Sequence, residues 1–125
     1  MLSKAQVLKA RKAIERMYTG TCTVTERQKV KSGTSKLVTY ADSVVLEGQP
    51  CRLAFKQSNP AQQTESAASI AQVIKLFLAP EVTVRPGSKV TVAQDGVTAD
   101  YKCSGVPAVY PTHQEIVLEL FERWA

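Results

Sequence analysis

Histidine and aromatic residues are scarce in this 125-residue chain, which has one histidine, His113, and eight aromatic residues. A catalytic Cys–His or Ser–His pair needs a base within hydrogen-bond reach of the nucleophile, and the sequence does not place Cys103 or Ser104 near His113. Walker-type, GxSxG and HExxH motifs are missing. We therefore expect no catalytic residue, and we expect the His113 ring to bond a backbone group at a corner of the fold.

The cysteines are also few: Cys22, Cys51 and Cys103. An odd number without CxxC spacing argues against both a disulfide framework and a zinc site. The three thiols are expected to be small buried residues in strands. We expect neither a metal nor a cofactor.

Long hydrophobic runs are absent. The longest, residues 71–79, is interrupted by Gln72 and Lys75, whereas a bilayer-spanning helix needs about 18 apolar residues. The N-terminus is charged from Lys4 onward and lacks the apolar core of a secretion signal. We expect no membrane partner and a chain that folds in the cytoplasm.

The length suits one domain, residues 1–125. The net charge of +5 is concentrated at one end. Residues 1–36 carry nine Lys/Arg against two acids, a net +7, and residues 37–125 carry seven against nine, a net −2. A basic end on a nearly neutral body suggests an acidic protein surface or nucleic-acid phosphate as a partner.

We predict that the first 19 residues form an N-terminal helical segment, with the helix over about Ser3–Tyr18. Ser3 and Gln6 have capping-box spacing, and Val7, Ala10, Ile14 and Met17 form one apolar stripe. Gly20 is a plausible stop. A basic face made of Lys9, Lys12 and Arg16 lies elsewhere on the helix, and we expect it to contact a partner.

Residues 20–125 predict a body of about six or seven antiparallel strands, a small barrel or sandwich. Strands are expected near residues 21–27, 37–46, 51–55, 70–78, 89–93, 97–103 and 114–121. Gly48, Gln49 and Pro50 are expected to break the chain between two of them, and Asp95-Gly96 predicts a type I′ hairpin turn. Val117 and Phe121 suggest that the last strand is covered on both faces.

A long polar loop covers residues 57–69. Loops of this length in a compact domain are usually functional or mobile. Its candidate interface or channel residues are Gln57, Ser58, Asn59, Gln62, Gln63, Thr64 and Glu65. Tyr40 lies beside Asp42 and away from a basic cluster, which disfavours a platform for stacking bases.

Two segments bear a family resemblance: Val82-Thr83-Val84-Arg85-Pro86-Gly87-Ser88-Lys89-Val90, and the corner from Gly105 through Pro111-Thr112-His113 to Ile116. Together with the threonine-rich first strand and the polar loop before residues 73–78, they resemble the head-closure, or "stopper", proteins of long-tailed bacteriophages and prophages. The resemblance covers most of residues 19–125. It carries no catalytic residue.

The resemblance implies a β-barrel-like subunit that assembles as a homo-oligomeric ring under the portal and adaptor. Such a ring seals the DNA channel, docks the tail and touches packaged DNA nonspecifically, with a loop that reaches the lumen. The implied location is the host cytoplasm during assembly and then the head–tail junction of the virion.

Three alternatives remain open. The chain could be an adaptor or tail-completion protein of the same connector, because the N-terminal helix matches no stopper motif. It could be a small nucleic-acid-binding barrel that uses its basic N-terminal third. An enzyme or small-ligand binder would require a pocket where His113 meets a carboxylate.

Overall fold

The computed structural model describes residues 3–31, 38–57 and 72–124. Helix α1 spans Lys4–Glu15, and both halves of the expected capping box are present. The Gln6 amide donates to Ser3 Oγ at 3.2 Å, and the Ser3 amide donates to Gln6 Oε1 at 2.9 Å. These bonds satisfy two amides that have no partner inside the helix.

The helix ends before Gly20, contrary to the expected stop. The amides of Met17 and Tyr18 donate three residues back, to Ile14 and Glu15, which is the tighter 3₁₀ pattern at a helix end. Gly20 instead opens the first strand. A Cβ there would lie 3.1 Å from the Ala93 carbonyl oxygen, so glycine permits a close approach of two strands.

The rest of the described chain forms one antiparallel sheet of seven strands. Their bounds are β1 Gly20–Lys31, β2 Val38–Gln57, β3 Gln72–Leu78, β4 Lys89–Gln94, β5 Val97–Cys103, β6 Ala108–Val109 and β7 Gln114–Leu120. The order is β3-β2-β1-β4-β5-β7-β6, and β3 also pairs with β7. This pairing closes six strands into a barrel, so the mainly β prediction is confirmed.

The barrel interior holds the apolar core. Buried side chains alternate along the parts of the six wall strands that form the barrel, as the two-residue repeat of a half-exposed strand requires. The core comprises Cys22, Val24, Cys51, Leu53, Ile74, Leu76, Leu78, Val84, Val90, Val92, Tyr101, Cys103, Ile116 and Leu118. The prediction that the three cysteines are buried is therefore confirmed.

Strand β2 is continuous, so the predicted break at residues 48–50 is wrong. Gly48 adopts a φ of 65°, while Gln49 and Pro50 remain paired with Cys22 and Thr21 of β1. β3 begins to pair only at Cys51. Pro50 therefore lies where the outer edge of β2 has no neighbouring strand, and its missing N–H breaks no bond there.

The hairpin between β4 and β5 agrees with its sequence signal. Asp95 and Gly96 have φ values of 52° and 78°, as the two central positions of a type I′ turn require. The prediction for β7 is wrong on one point, because Val117 is 44% exposed. The outer face of β7 is thus open to solvent at its centre.

Gln114 is the large polar side chain inside the core, at 1% exposure. Its Nε2 donates to the carbonyl oxygen of Ala79 at 2.7 Å and also to that of Val82. These bonds hold the connection between β3 and β4 against the start of β7. That connection also contains Val84, whose side chain is buried in the core. The Gln114 amide therefore helps to hold Val84 in its packed position.

We predict that Gln114→Leu lowers the free energy of unfolding by about 2 kcal/mol, because both hydrogen bonds are lost and a buried carbonyl is left without its donor. Urea unfolding followed by circular dichroism measures the change. Gln28→Leu, at an exposed position, is the control and should change stability by less than about 0.5 kcal/mol. Equal effects of the two substitutions would contradict the role given to Gln114.

Candidate interaction surfaces

His113 lies at the turn between β6 and β7, and side chains occupy both of its ring nitrogens. Nδ1 is 2.9 Å from Thr112 Oγ1, and Nε2 is 3.0 Å from Glu115 Oε2. The backbone of the same residue closes the turn, since the Tyr110 amide donates to the His113 carbonyl at 2.8 Å. The expected partner of the ring was a backbone group; the structure corrects it to a hydroxyl and a carboxylate.

Two aromatic rings flank His113. The Tyr110 ring stacks on the imidazole with centroids 5.0 Å apart and planes inclined by 21°, and the Phe77 ring is tilted at 6.0 Å. Tyr110 is 46% exposed. We call His113, Tyr110, Phe77 and Glu115 the histidine cluster; it lies on the outer wall of the barrel.

Glu115 joins this cluster to β3. Its Oε1 is 3.4 Å from Lys75 Nζ. The hydrogen bond with His113 lowers the pKa of Glu115 below its usual 4.5; burial opposes this effect, and Lys75 adds to it. The carboxylate therefore favours the folded state while it is ionised. The sequence separation of 40 residues between Lys75 and Glu115 left no local signal of this contact.

The three thiols lie away from this cluster, inside the barrel. The neighbouring thiols of Cys22 and Cys51 shift each other's pKa, which lowers that of Cys22 and, together with burial, raises that of Cys51. Burial raises the pKa of Cys103. All three thiols are at most 1% exposed, so a substrate in solvent does not reach them.

Three of the open clefts on the described surface lie at two places. One of about 530 Å³ lies at a barrel end beside Leu118 and Trp124. Two more, of about 330 and 450 Å³, flank Glu26 and Arg85. Neither His113 nor a cysteine lines any of the three. Among the described residues, no group of three His, Cys, Asp or Glu side chains could hold a metal ion.

Helix α1 presents the expected basic face, with Lys9, Lys12 and Arg16 all exposed. None of the helix residues is buried. Leu8 is 57% exposed, and Met17, which was expected in the inward stripe, is 49% exposed. No helix in the described part of the chain has the length and hydropathy to cross a bilayer.

One arginine ties α1 to the body. Arg11 Nε bonds Glu15 Oε1 at 2.6 Å, and Arg11 Nη2 bonds Glu81 in the connection after β3. Val7, Ala10 and Ile14 are half-buried on the same side. This ion pair adds a polar contact between the helix and the barrel to that small apolar burial.

The predicted polar loop lies almost wholly outside the described residues. Gln57 ends β2, with its backbone paired to Gln72 of β3. Ser58, Asn59, Gln62, Gln63, Thr64 and Glu65 are not described. Phe55, just before the loop, is 52% exposed, so an apolar side chain marks this end of the barrel.

A further surface, which we did not predict, is formed by the distal parts of β1 and β2. Residues 26–31 pair with residues 38–43, beyond the last pairing of β1 with β4 at Thr25. We call this two-stranded ribbon the β1–β2 arm. The alternating Thr21–Arg27 pattern indicated the strand, but only the short length of β4 shows that the ribbon leaves the barrel.

The arm corrects our reading of Tyr40, which was expected to lie away from basic groups. The Arg27 guanidinium stacks 4.5 Å from the centre of the Tyr40 ring, and Lys29 is its cross-strand partner. Such cation–π contacts are worth about 0.5–1 kcal/mol at exposed sites. Arg27 thus covers one face of the ring, which limits stacking by a base.

We predict that Glu115→Gln makes stability less dependent on pH. Because the folded pKa of Glu115 is depressed, its contribution is complete above the unfolded value near 4.5 and is lost as the pH falls through the folded value. The melting temperature of the wild type should exceed that of the variant at pH 7, and the difference should shrink below pH 4.5. Glu122→Gln, at an exposed acid in the segment after β7, is the control. A difference in melting temperature that stays constant at all pH values would contradict the pairing of Glu115 with His113 and Lys75.

We predict that Arg11→Ala loosens helix α1. Amide hydrogen exchange over Lys4–Glu15 should become about fivefold faster, since an exposed ion pair contributes up to about 1 kcal/mol. Lys12→Ala removes the same charge one residue later and is the matched control. If both variants exchange at the wild-type rate, the Arg11–Glu81 ion pair does not stabilise the helix.

Comparisons with known proteins give a shared fold but no family. No family model matches the chain, and no curated protein matches it in sequence. Among solved structures, the phage-like element PBSX protein xkdH from Bacillus subtilis is similar, with a TM-score of 0.50 and 11% sequence identity. The match covers 80% of this chain and 91% of that protein, so the likeness extends over most of both folds.

Proposed function

We propose that this protein is a structural protein of a tailed bacteriophage or prophage, and that it closes the head as a ring at the head–tail junction. The observation that carries the proposal is the likeness to a protein of a phage-like element over 80% of the chain. The segments 82–90 and 105–116 independently resemble head-closure proteins. Fold alone does not determine function, so the proposal depends on these two features together.

The surface chemistry supports a role in assembly. The β1–β2 arm, the histidine cluster and helix α1 expose Tyr40, Tyr110 and Leu8 at 46–57% of their surfaces. Aromatic residues are enriched in the cores of protein interfaces. We propose that the partners are further copies of this chain, the portal or adaptor above it and a tail protein below it.

We propose further that the protein acts without catalysis. The ring nitrogens of His113 already contact Thr112 and Glu115, and Cys22, Cys51 and Cys103 are at most 1% exposed. The proposed mechanism is steric: a closed barrel gives a rigid wall, while symmetry repeats each weak contact around the ring.

The test is electron microscopy of the purified protein mixed with the portal assembly of the phage or prophage that encodes it. We predict extra ring-shaped density below the portal in class averages, with portal alone as the control. A stopper should bind only when the adaptor is present, whereas an adaptor should bind the bare portal. Mixtures that never gain density, with or without the adaptor, would overturn the proposal.

The nucleic-acid alternative makes a different prediction. The exposed basic residues of α1 and the arm would bind single strands with an affinity that falls steeply as salt rises. Fluorescence anisotropy with a labelled oligonucleotide at low salt distinguishes the two functions. Submicromolar binding without portal binding would favour the nucleic-acid module.

A further inference from the structure

In the part of the chain that the structure describes, the β1–β2 arm has no strand paired to either of its outer edges, although residues 85–88 lie beside Glu26 and Arg27 at its base. β4 pairs with β1 only over residues 21–25, and β3 pairs with β2 only from Cys51 onward. Among the described residues, positions 27–31 of β1 and 38–43 of β2 therefore have no strand on their outer sides. An exposed edge presents a row of unpaired N–H and C=O groups, which is a template for another strand.

The side chains of the arm favour such pairing. Val30 and Tyr40 are 43% and 54% exposed, and valine, tyrosine and threonine are good strand formers. Natural proteins often protect an edge with proline or a bulge. Here Pro50 and the two register shifts between β1 and β2, at residues 22–24 and 24–25, lie toward the barrel, and residues 38–43 contain neither proline nor glycine.

The two edges carry opposite charge. Arg27 and Lys29 are on β1, and their cross-strand partners on β2 are Asp42 and Tyr40. Directly paired residues share one face of a ribbon, so these four side chains lie together, with a basic row along one edge and an acid on the other. If the β1 edges of two copies met, their Arg27 and Lys29 side chains would repel each other. If the β1 edge of one copy met the β2 edge of another, Arg27 would lie next to Asp42.

We propose that the arms of neighbouring copies join edge to edge, with β1 of one copy pairing antiparallel to β2 of the next. The charges set the register. Arg27 of one copy lies opposite Asp42 of its neighbour, Lys29 opposite Tyr40, and Gln28 opposite Ala41. Each Asp42 then lies between its own Arg27 and that of the next copy.

This contact has a defined symmetry. It joins two different edges, so it is heterologous, and repeating it generates a closed ring or an open filament. All arms point the same way, and their strands alternate in direction as in a single antiparallel sheet. The inference rests on the proposed ring and specifies which part of the chain joins its subunits.

Cysteine crosslinking tests the register directly. The native cysteines are at most 1% exposed, so wild-type protein treated with diamide gives the background. We expect Gln28→Cys mixed with Ala41→Cys at high concentration to form a covalent dimer of unlike chains, because opposite residues have Cβ atoms about 5 Å apart. Either variant alone should form none.

Charge reversal provides the second test. Asp42→Lys should raise the concentration needed for assembly about fivefold, as expected for the loss of a favourable cross-strand pair, measured by analytical ultracentrifugation. Glu122→Lys makes the same charge change at an exposed acid outside the arm and should assemble as the wild type does. Double reversal, Arg27→Asp with Asp42→Arg, should restore assembly.

The outcomes separate this inference from the proposed function. If rings form on the portal but the mixed Gln28→Cys and Ala41→Cys variants do not crosslink, the proposed arm contact is wrong and the proposed ring is still supported. Disulfides from Ala41→Cys alone would indicate a symmetric β2–β2 contact and overturn the stated register. If the wild type neither self-associates nor binds the portal, both the proposed ring and the proposed arm contact are contradicted.

Discussion

The pairing of β3 with β7 determines the rest of this structure. It brings Leu76 and Ile116 face to face, and by joining the two ends of the strand order it turns an open sheet into a closed barrel. Closure removes the edges of the six wall strands where they pair. The height of the closed barrel is limited by its short strands, because β3 and β4 are only seven and six residues long.

That height explains the arm. β1 has 12 residues and β2 has 20, so strands of this length overhang a wall built from six or seven. The overhang is stabilised by pairing between two strands, by the Arg27–Tyr40 contact and by the bond from Thr39 Oγ1 to the Val30 carbonyl. An isolated ribbon is only marginally stable in water, and here it is continuous with strands that are anchored in the core.

Much of the fold could be predicted because its signals are local. The capping box at Ser3, the Asp95-Gly96 turn and the alternation of Cys51, Leu53 and their neighbours each depend on residues within a few positions of one another. The continuity of β2 could not be predicted, because it depends on where β3 begins. In the sequence, Gly48 and Pro50 indicate a break in the strand. The structure shows that β2 tolerates them because β3 does not pair with β2 before Cys51.

The candidate surfaces were predicted less well than the fold, for the same physical reason. Lys9, Lys12 and Arg16 form a face of one helix, so helical periodicity was enough to group them. Glu115 meets Lys75, and Arg11 meets Glu81, only after the barrel has closed. The pattern of β1 predicted a strand, but nothing in it shows whether a neighbour covers its edge.

The closed barrel and the free arm separate two physical tasks. Buried thiols, the Gln114 amide and the apolar core stabilise a single chain, and all of them are buried. The arm contributes no residue to the core, so in the proposed ring its charges change the strength of subunit contacts with little effect on folding. In the proposed ring this separation matters, because a subunit that folds alone and associates weakly remains monomeric until the portal gathers several copies, and the repeated contacts then add together.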